Sequence, residues 1–182
     1  MPKDSEYPLP HRLQRLSVEL RDACHRLELL DSTGQIPSPL PLAELLKHAA
    51  TAQSLSAGTT LLAAEFATRF GTSPSSKNLS EALSQLVTAV TQTCTASSLF
   101  AQTAHTAASS APEPGTSHAD RRNWQMITDH ATGRRELRRA SEAVGAAEKH
   151  LQTHREMQRF LTEMRTPAAA LPGLTSRTHP RP

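Results

Sequence analysis

The chain of 182 residues is long enough for one domain with a buried core, yet it is only 37% apolar and 3% aromatic, so that core must be built mostly from Leu and Ala. The net charge of +3 is uneven: residues 117–182 hold twelve basic and seven acidic side chains, while residues 32–116 hold seven charges in all. Two cysteines are too few for a disulfide scaffold, no run of about eighteen apolar residues offers a membrane span, and no basic-then-apolar leader opens the sequence; the expectation is a cytoplasmic protein in which Cys24 and Cys94 are small, buried and reduced.

Residues 1–10, with Pro2, Pro8 and Pro10, read as a flexible N-terminal arm. A first helix is predicted over 11–31. Leu13, Leu16, Leu20, Ala23, Leu27 and Leu30 recur in steps of three and four, and Arg12, Arg15, Glu19, Arg21, Asp22 and Arg26 cover the other side. Ser32 to Gly34 closes it, and Pro37, Pro39 and Pro41 form a stiff linker.

The second helix, 41–70, carries the stripe Leu45, Ala49, Ala52, Leu55, Thr59, Leu62, Phe66 and Phe70, with no charge between Lys47 and Glu65. Gly58 inside it reads as a point of close helix approach. After the turn from Gly71 to Pro74 comes a third helix, 78–109, with Asn78 as its cap and Glu81 at the capping-box position. Its stripe is Leu79, Leu83, Leu86, Val90, Cys94, Ser97, Ala101, Ala104 and Ala108. No charged residue falls between Glu81 and Glu113. Ser, Thr and Gln therefore occupy the positions where a solvated helix carries Lys and Glu. The expectation is that the second and third helices form an antiparallel hairpin, are the most buried elements, and have charged amphipathic helices outside them.

The fourth segment is predicted over 118–165. Trp124, Ile127 and Ala131 share one face. From Leu137 the stripe runs Leu137, Ala140, Val144, Ala147, Leu151, His154, Gln158 and Leu161, on a nearly opposite face. Thr132 and Gly133 lie between the two groups, so a kink or break is placed there. Pro167 ends the helix, and residues 166–182, with four prolines, read as a disordered tail. The fold class is all-α, an antiparallel bundle of about four long helices in a single domain over 11–165.

The chemistry-bearing residues are sparse. His150 and His154 stand four apart on a helix and are the metal candidates, but no Glu follows the first, and the chain has no Glu-x-x-His repeat of a di-iron bundle. There is no Gly-x-Ser-x-Gly elbow and no Gly-rich phosphate loop, and Cys24 and His25 are adjacent on a helix and so point about 100° apart. The reading is therefore not an enzyme, with no cofactor and no assigned metal. Arg134, Arg135, Arg138 and Arg139, with Arg121 and Arg122 upstream, form the sharpest polar cluster. They are candidates for a phosphate-binding face, set against a solvated face neutralised by Glu136 and Glu142. Trp124, the single tryptophan, is the partner-binding candidate, set against a place in the core.

The favoured reading is a scaffold or accessory subunit acting through protein–protein association, with another protein or with itself, and without a membrane span. The alternative is a nucleic-acid-binding accessory protein using the Arg134–Arg139 face; a third reading is a His-ligated metalloprotein.

Overall fold

The computed structural model describes residues 8–37, 41–70, 76–109 and 117–165. The expectations for the arm before Pro8, the turn from Gly71 and the tail from Thr166 fall on residues outside that set. Four helices make up the fold: α1 (Leu9–Arg26), α2 (Leu42–Phe70), α3 (Lys77–Ala108) and α4 (Ser117–Arg165). No strand occurs among the described residues.

The helices run alternately up and down in a ring. Ser56 on α2 meets Cys94 on α3, Glu81 on α3 meets His150 on α4, and Ser141 on α4 meets Ser17 on α1. The ring is least closed between α1 and α2. There Ala50, Ser54 and Gly58 leave an open groove along Arg12, Leu16, Glu19 and Ala23. The Arg12–Glu65 ion pair crosses it at one end.

The core is largely aliphatic, as the composition demands. On α1 the predicted seam is buried from Leu13 to Leu27, with Leu9 added, while Leu30 is largely exposed. The helix starts two residues earlier than expected, because Pro8 and Pro10 sit where proline is tolerated, at the N-cap and in the first turn. It also ends earlier, at Arg26. The chain leaves it so that Leu29 can pack with Leu45, Ala104 and Met126 and close that end of the bundle. The loop is held by Asp31, whose Oδ1 accepts from the Thr33 N–H (2.8 Å), the Thr33 hydroxyl (2.6 Å) and the Gln35 N–H (3.1 Å). Gly34 turns the chain at φ +77°, a conformation that favours glycine.

Three expectations about the middle helices are corrected. The buried stripe of α3 is Leu79, Ala82, Leu86, Ala89, Thr93, Ala96, Phe100 and Thr103, turned roughly 75° around the helix from the expected one. Phe100 decides the phase, because its ring fills the space beside Gly133 of α4 and His48 of α2. Cys94 is exposed beside Ser56, and only Cys24 is buried. Finally, α2 and α3 are not enclosed. Each belongs to the ring and shows an uncharged outer face to solvent, with Leu61 and Val87 exposed on it.

Two further corrections concern helix ends and glycines. The N-cap of α3 is Ser76, not Asn78, and its hydroxyl is turned to His154 Nδ1 (2.8 Å) rather than onto the backbone. Glu81 pairs with Lys77 and His150 instead of closing a capping box. α4 runs unbroken through Thr132 and Gly133. The apparent change of face came from counting Trp124 and Ala131, which are exposed, and Ile127, which is only partly buried. The upstream core face is Met126, His130 and Gly133, in line with Leu137. Gly133 is there for close approach, since a Cβ would stand 3.2 Å from the Phe100 ring. Gly58 is the reverse case: a Cβ there would meet nothing within 4 Å.

Candidate functional site

Three polar or exposed features stand out on this frame: the arginines of α4, a histidine pair in the interior, and the free end of α4.

The arginines divide by direction. Arg122 donates from Nε to the Thr106 carbonyl (3.0 Å) and from Nη2 to the Ala107 carbonyl (2.8 Å). Arg134 donates from Nε to the Cys24 carbonyl (2.8 Å) and from Nη2 to Glu28 (3.3 Å). Both arginines thus reach the last turn of an antiparallel neighbour, α3 and α1 respectively. The carbonyls of a last helical turn have no partner within their own helix, and the helix dipole favours a cation beside them. These two side chains act as caps supplied across the bundle. Arg135 (3.5 Å) and Arg139 (3.0 Å) share Glu136. Arg121 and Arg138 are exposed. The structure therefore divides the predicted cluster: Arg134 is held against α1, while Arg135, Arg138 and Arg139 are exposed.

His150 and His154 are also separated in role. His150 Nδ1 lies 3.2 Å from Glu81, and His154 faces Ser76. No group of three or more His, Cys, Asp or Glu among the described residues is placed to hold a metal ion.

No sequence pattern marks the pair His48 and His130, which are 82 positions apart. His48 Nδ1 and His130 Nε2 stand 3.2 Å apart, with one ring donating an N–H and the other accepting. The edge of Phe100 packs against both rings, at centroid distances of 6.5 and 4.9 Å. His130 is 2% exposed. Burial, the neighbouring His48 and the Arg134 guanidinium together push its pKa down to about 4. His48, partly buried, is held below the ordinary value by burial and Arg134, against the opposite pull of Glu44. Both rings are neutral near pH 7; their polar contact joins α2 to α4, and Phe100 of α3 packs against the pair.

The free end of α4 is the third feature. Every residue from Arg155 to Arg165 is exposed, so about three turns project past the bundle. Met157 (54% exposed), Phe160 (60%), Leu161 (42%) and Met164 (70%) fall at i, i+3, i+4 and i+7 on it. Met157 and Leu161 form one wall of an open notch of about 870 Å³, and Phe70 and Leu79 at the α2–α3 tip form the other. Arg69, Lys77 and His154 stand on its rim. At the opposite end of α4, Trp124 is 68% exposed and so is not part of the core.

No described helix is long and apolar enough to cross a membrane. Comparison with protein-family models, with curated proteins and with solved structures gives no match.

Proposed function

We propose that this chain is a non-enzymatic helical bundle that acts by binding another polypeptide, as a scaffold or accessory subunit in the cytoplasm. The projecting end of α4 carries the reading. An isolated helical stretch of three turns is marginal in water, and an apolar stripe at i, i+3, i+4, i+7 is the pattern by which helices dock on partners. Met157, Phe160, Leu161 and Met164 form such a stripe, and each stays at least 42% exposed among the described residues. Trp124 offers a second exposed anchor, of the residue type that dominates binding energy at interfaces. The polar clusters have packing roles: Arg122 and Arg134 cap helices, and Ser17 and Ser141 exchange hydrogen bonds between α1 and α4. That pattern supports binding over catalysis. The free thiols Cys24 and Cys94 suit a reducing compartment.

The nucleic-acid alternative has less support, because four of its six arginines are engaged within the chain. An affinity-tagged chain and its Met157→Lys/Met164→Lys variant, compared at moderate and high salt, separate the two. Association through the stripe survives high salt and is lost in the variant. Binding of duplex DNA or RNA that falls steeply with salt and ignores the variant is the result that overturns the reading.

A further inference from the structure

We infer that the occupant of the α4 stripe is a second copy of this chain, docked tail to tail in parallel; the inference rests on the association reading above. The argument comes from the charges beside the stripe. At about 100° per residue, Glu156 and Glu163 fall together on one flank of Met157, Phe160, Leu161 and Met164, and His154, Gln158 and Arg165 fall on the other. The stripe thus has one edge with two carboxylates and an opposite edge whose fixed charge is Arg165.

Two copies can pair such a stripe in two symmetric ways. A two-fold axis parallel to the helices sets the acidic edge of each tail against the Arg165 edge of its partner. A two-fold axis perpendicular to them sets acidic edge against acidic edge and Arg165 edge against Arg165 edge. Opposite charges across a helix pair stabilise and like charges destabilise, so the sequence of this tail selects the parallel pair. In that arrangement Glu163 of one copy lies across from Arg165 of the other, and the contact occurs twice.

The bundle reinforces the choice. The edge of the tail that carries His154 and Gln158 is the one that borders the notch, where Arg69 and Lys77 supply positive charge. The partner's acidic edge is carried toward that rim, while its apolar stripe meets Met157 and Leu161. At the fractional exposures found, the four apolar side chains present roughly 400 Å² per copy, the size of a functional patch on a monomer. Twice that area, roughly 800 Å², falls below the roughly 1,200 Å² of stable interfaces and in the range of weak, transient ones. The dimer is therefore concentration-dependent, not obligate.

The test is sedimentation equilibrium of the whole chain from about 1 µM to about 1 mM. The expected result is a mass rising from 19.8 kDa toward twice that value. Phe160→Lys/Met164→Lys holds the mass at the monomer with an unchanged circular-dichroism spectrum, since both residues are exposed. Glu163→Arg and Arg165→Glu each weaken the dimer several-fold, and together they restore it. In a Cys94→Ser background, Met164→Cys cross-links to its own counterpart on mild oxidation, because a parallel pair sets like positions opposite each other. A dimer that Glu163→Arg strengthens, and that Met164→Cys does not cross-link, overturns the parallel arrangement and leaves the association reading standing. A constant monomer that captures a different protein through the stripe overturns the second copy alone. A constant monomer whose stripe variants bind the same proteins as the parent overturns both.

Discussion

Lowering the pH destabilises this bundle through His130. In the unfolded chain the imidazole titrates near its ordinary value of 6.5, while in the folded chain burial, His48 and Arg134 hold it near 4. Between those values the unfolded state binds a proton that the folded state refuses. The stabilising contribution of the neutral ring is therefore complete above the unfolded value, is lost progressively as pH falls through 6.5, and stops changing below 4, where the folded ring also protonates. A shift of about two and a half units corresponds to about 3 kcal/mol, a sizeable part of the stability of a domain this size. His48 acts in the same direction. Protonation also removes the acceptor from the 3.2 Å contact between the two rings. The assay is urea unfolding at about pH 7.5 and about pH 4.5, on the parent and on His130→Gln, which keeps a partner for His48 and does not titrate. Other effects of acid are common to both proteins, so the difference between the two losses isolates His130. The parent should lose about 2.5 kcal/mol more than the variant, because pH 4.5 stops short of the folded value. Equal losses refute the assignment of a neutral, desolvated ring.

Gly58→Ala should stabilise by about 1 kcal/mol, read as a higher urea midpoint, because the added methyl meets nothing within 4 Å and removes the helix cost of glycine. Leu62→Glu, which buries an unpaired carboxylate, should cost several kcal/mol, whereas Val87→Glu on the exposed face of α3 should stay within about 0.5 kcal/mol; thermal melts that treat the two alike contradict the ring arrangement. Arg134→Met, which strips the cap from the end of α1, should cost about 1–2 kcal/mol, and Arg138→Met, on an exposed side chain, almost nothing.

The helices themselves were legible in the sequence because their ends are marked by proline and glycine and their interiors by three-four spacing. The phase of each stripe was legible only where large and small residues differ. On α1, leucines alternate with charge, and the seam from Leu13 to Leu27 was read correctly. On α3, Ala, Thr, Ser and Cys occur on every side, so stripes separated by one position score alike. A single aromatic, Phe100, settles the matter, and its place depends on a glycine more than thirty residues away. The supposed break in α4 has the same origin: the face of Trp124, Ile127 and Ala131 is largely outside the core, and the buried Met126 and His130 lie in line with Leu137. The histidine pair and the cross-bundle caps left no local trace, because each joins residues brought together only by the antiparallel packing. The stripe at the end of α4 is different. Its four apolar residues stand in plain spacing, but the expected core stripe passed through Leu161 and absorbed the signal.

The reading of α2 and α3 as inner helices rested on the idea that a helix without charge must be covered. The threonines show why that step fails. On the solvent side, Thr51, Thr60, Thr88, Thr91 and Thr95 each donate a hydroxyl to the carbonyl four residues earlier. In the core, Thr59, Thr93 and Thr103 do the same. The bond satisfies the hydroxyl within its own helix and turns the methyl outward. A threonine so arranged needs neither water nor a neighbouring polar group, so it serves equally in a packed layer and on a wet one. Charge depletion in a threonine-rich helix is therefore evidence of a self-satisfied surface, not of burial. What marks burial in this chain is the large side chain that has no such option: Phe66 and Phe100 are inside, and the exposure of the equally apolar Phe160 is what the proposed association would remove.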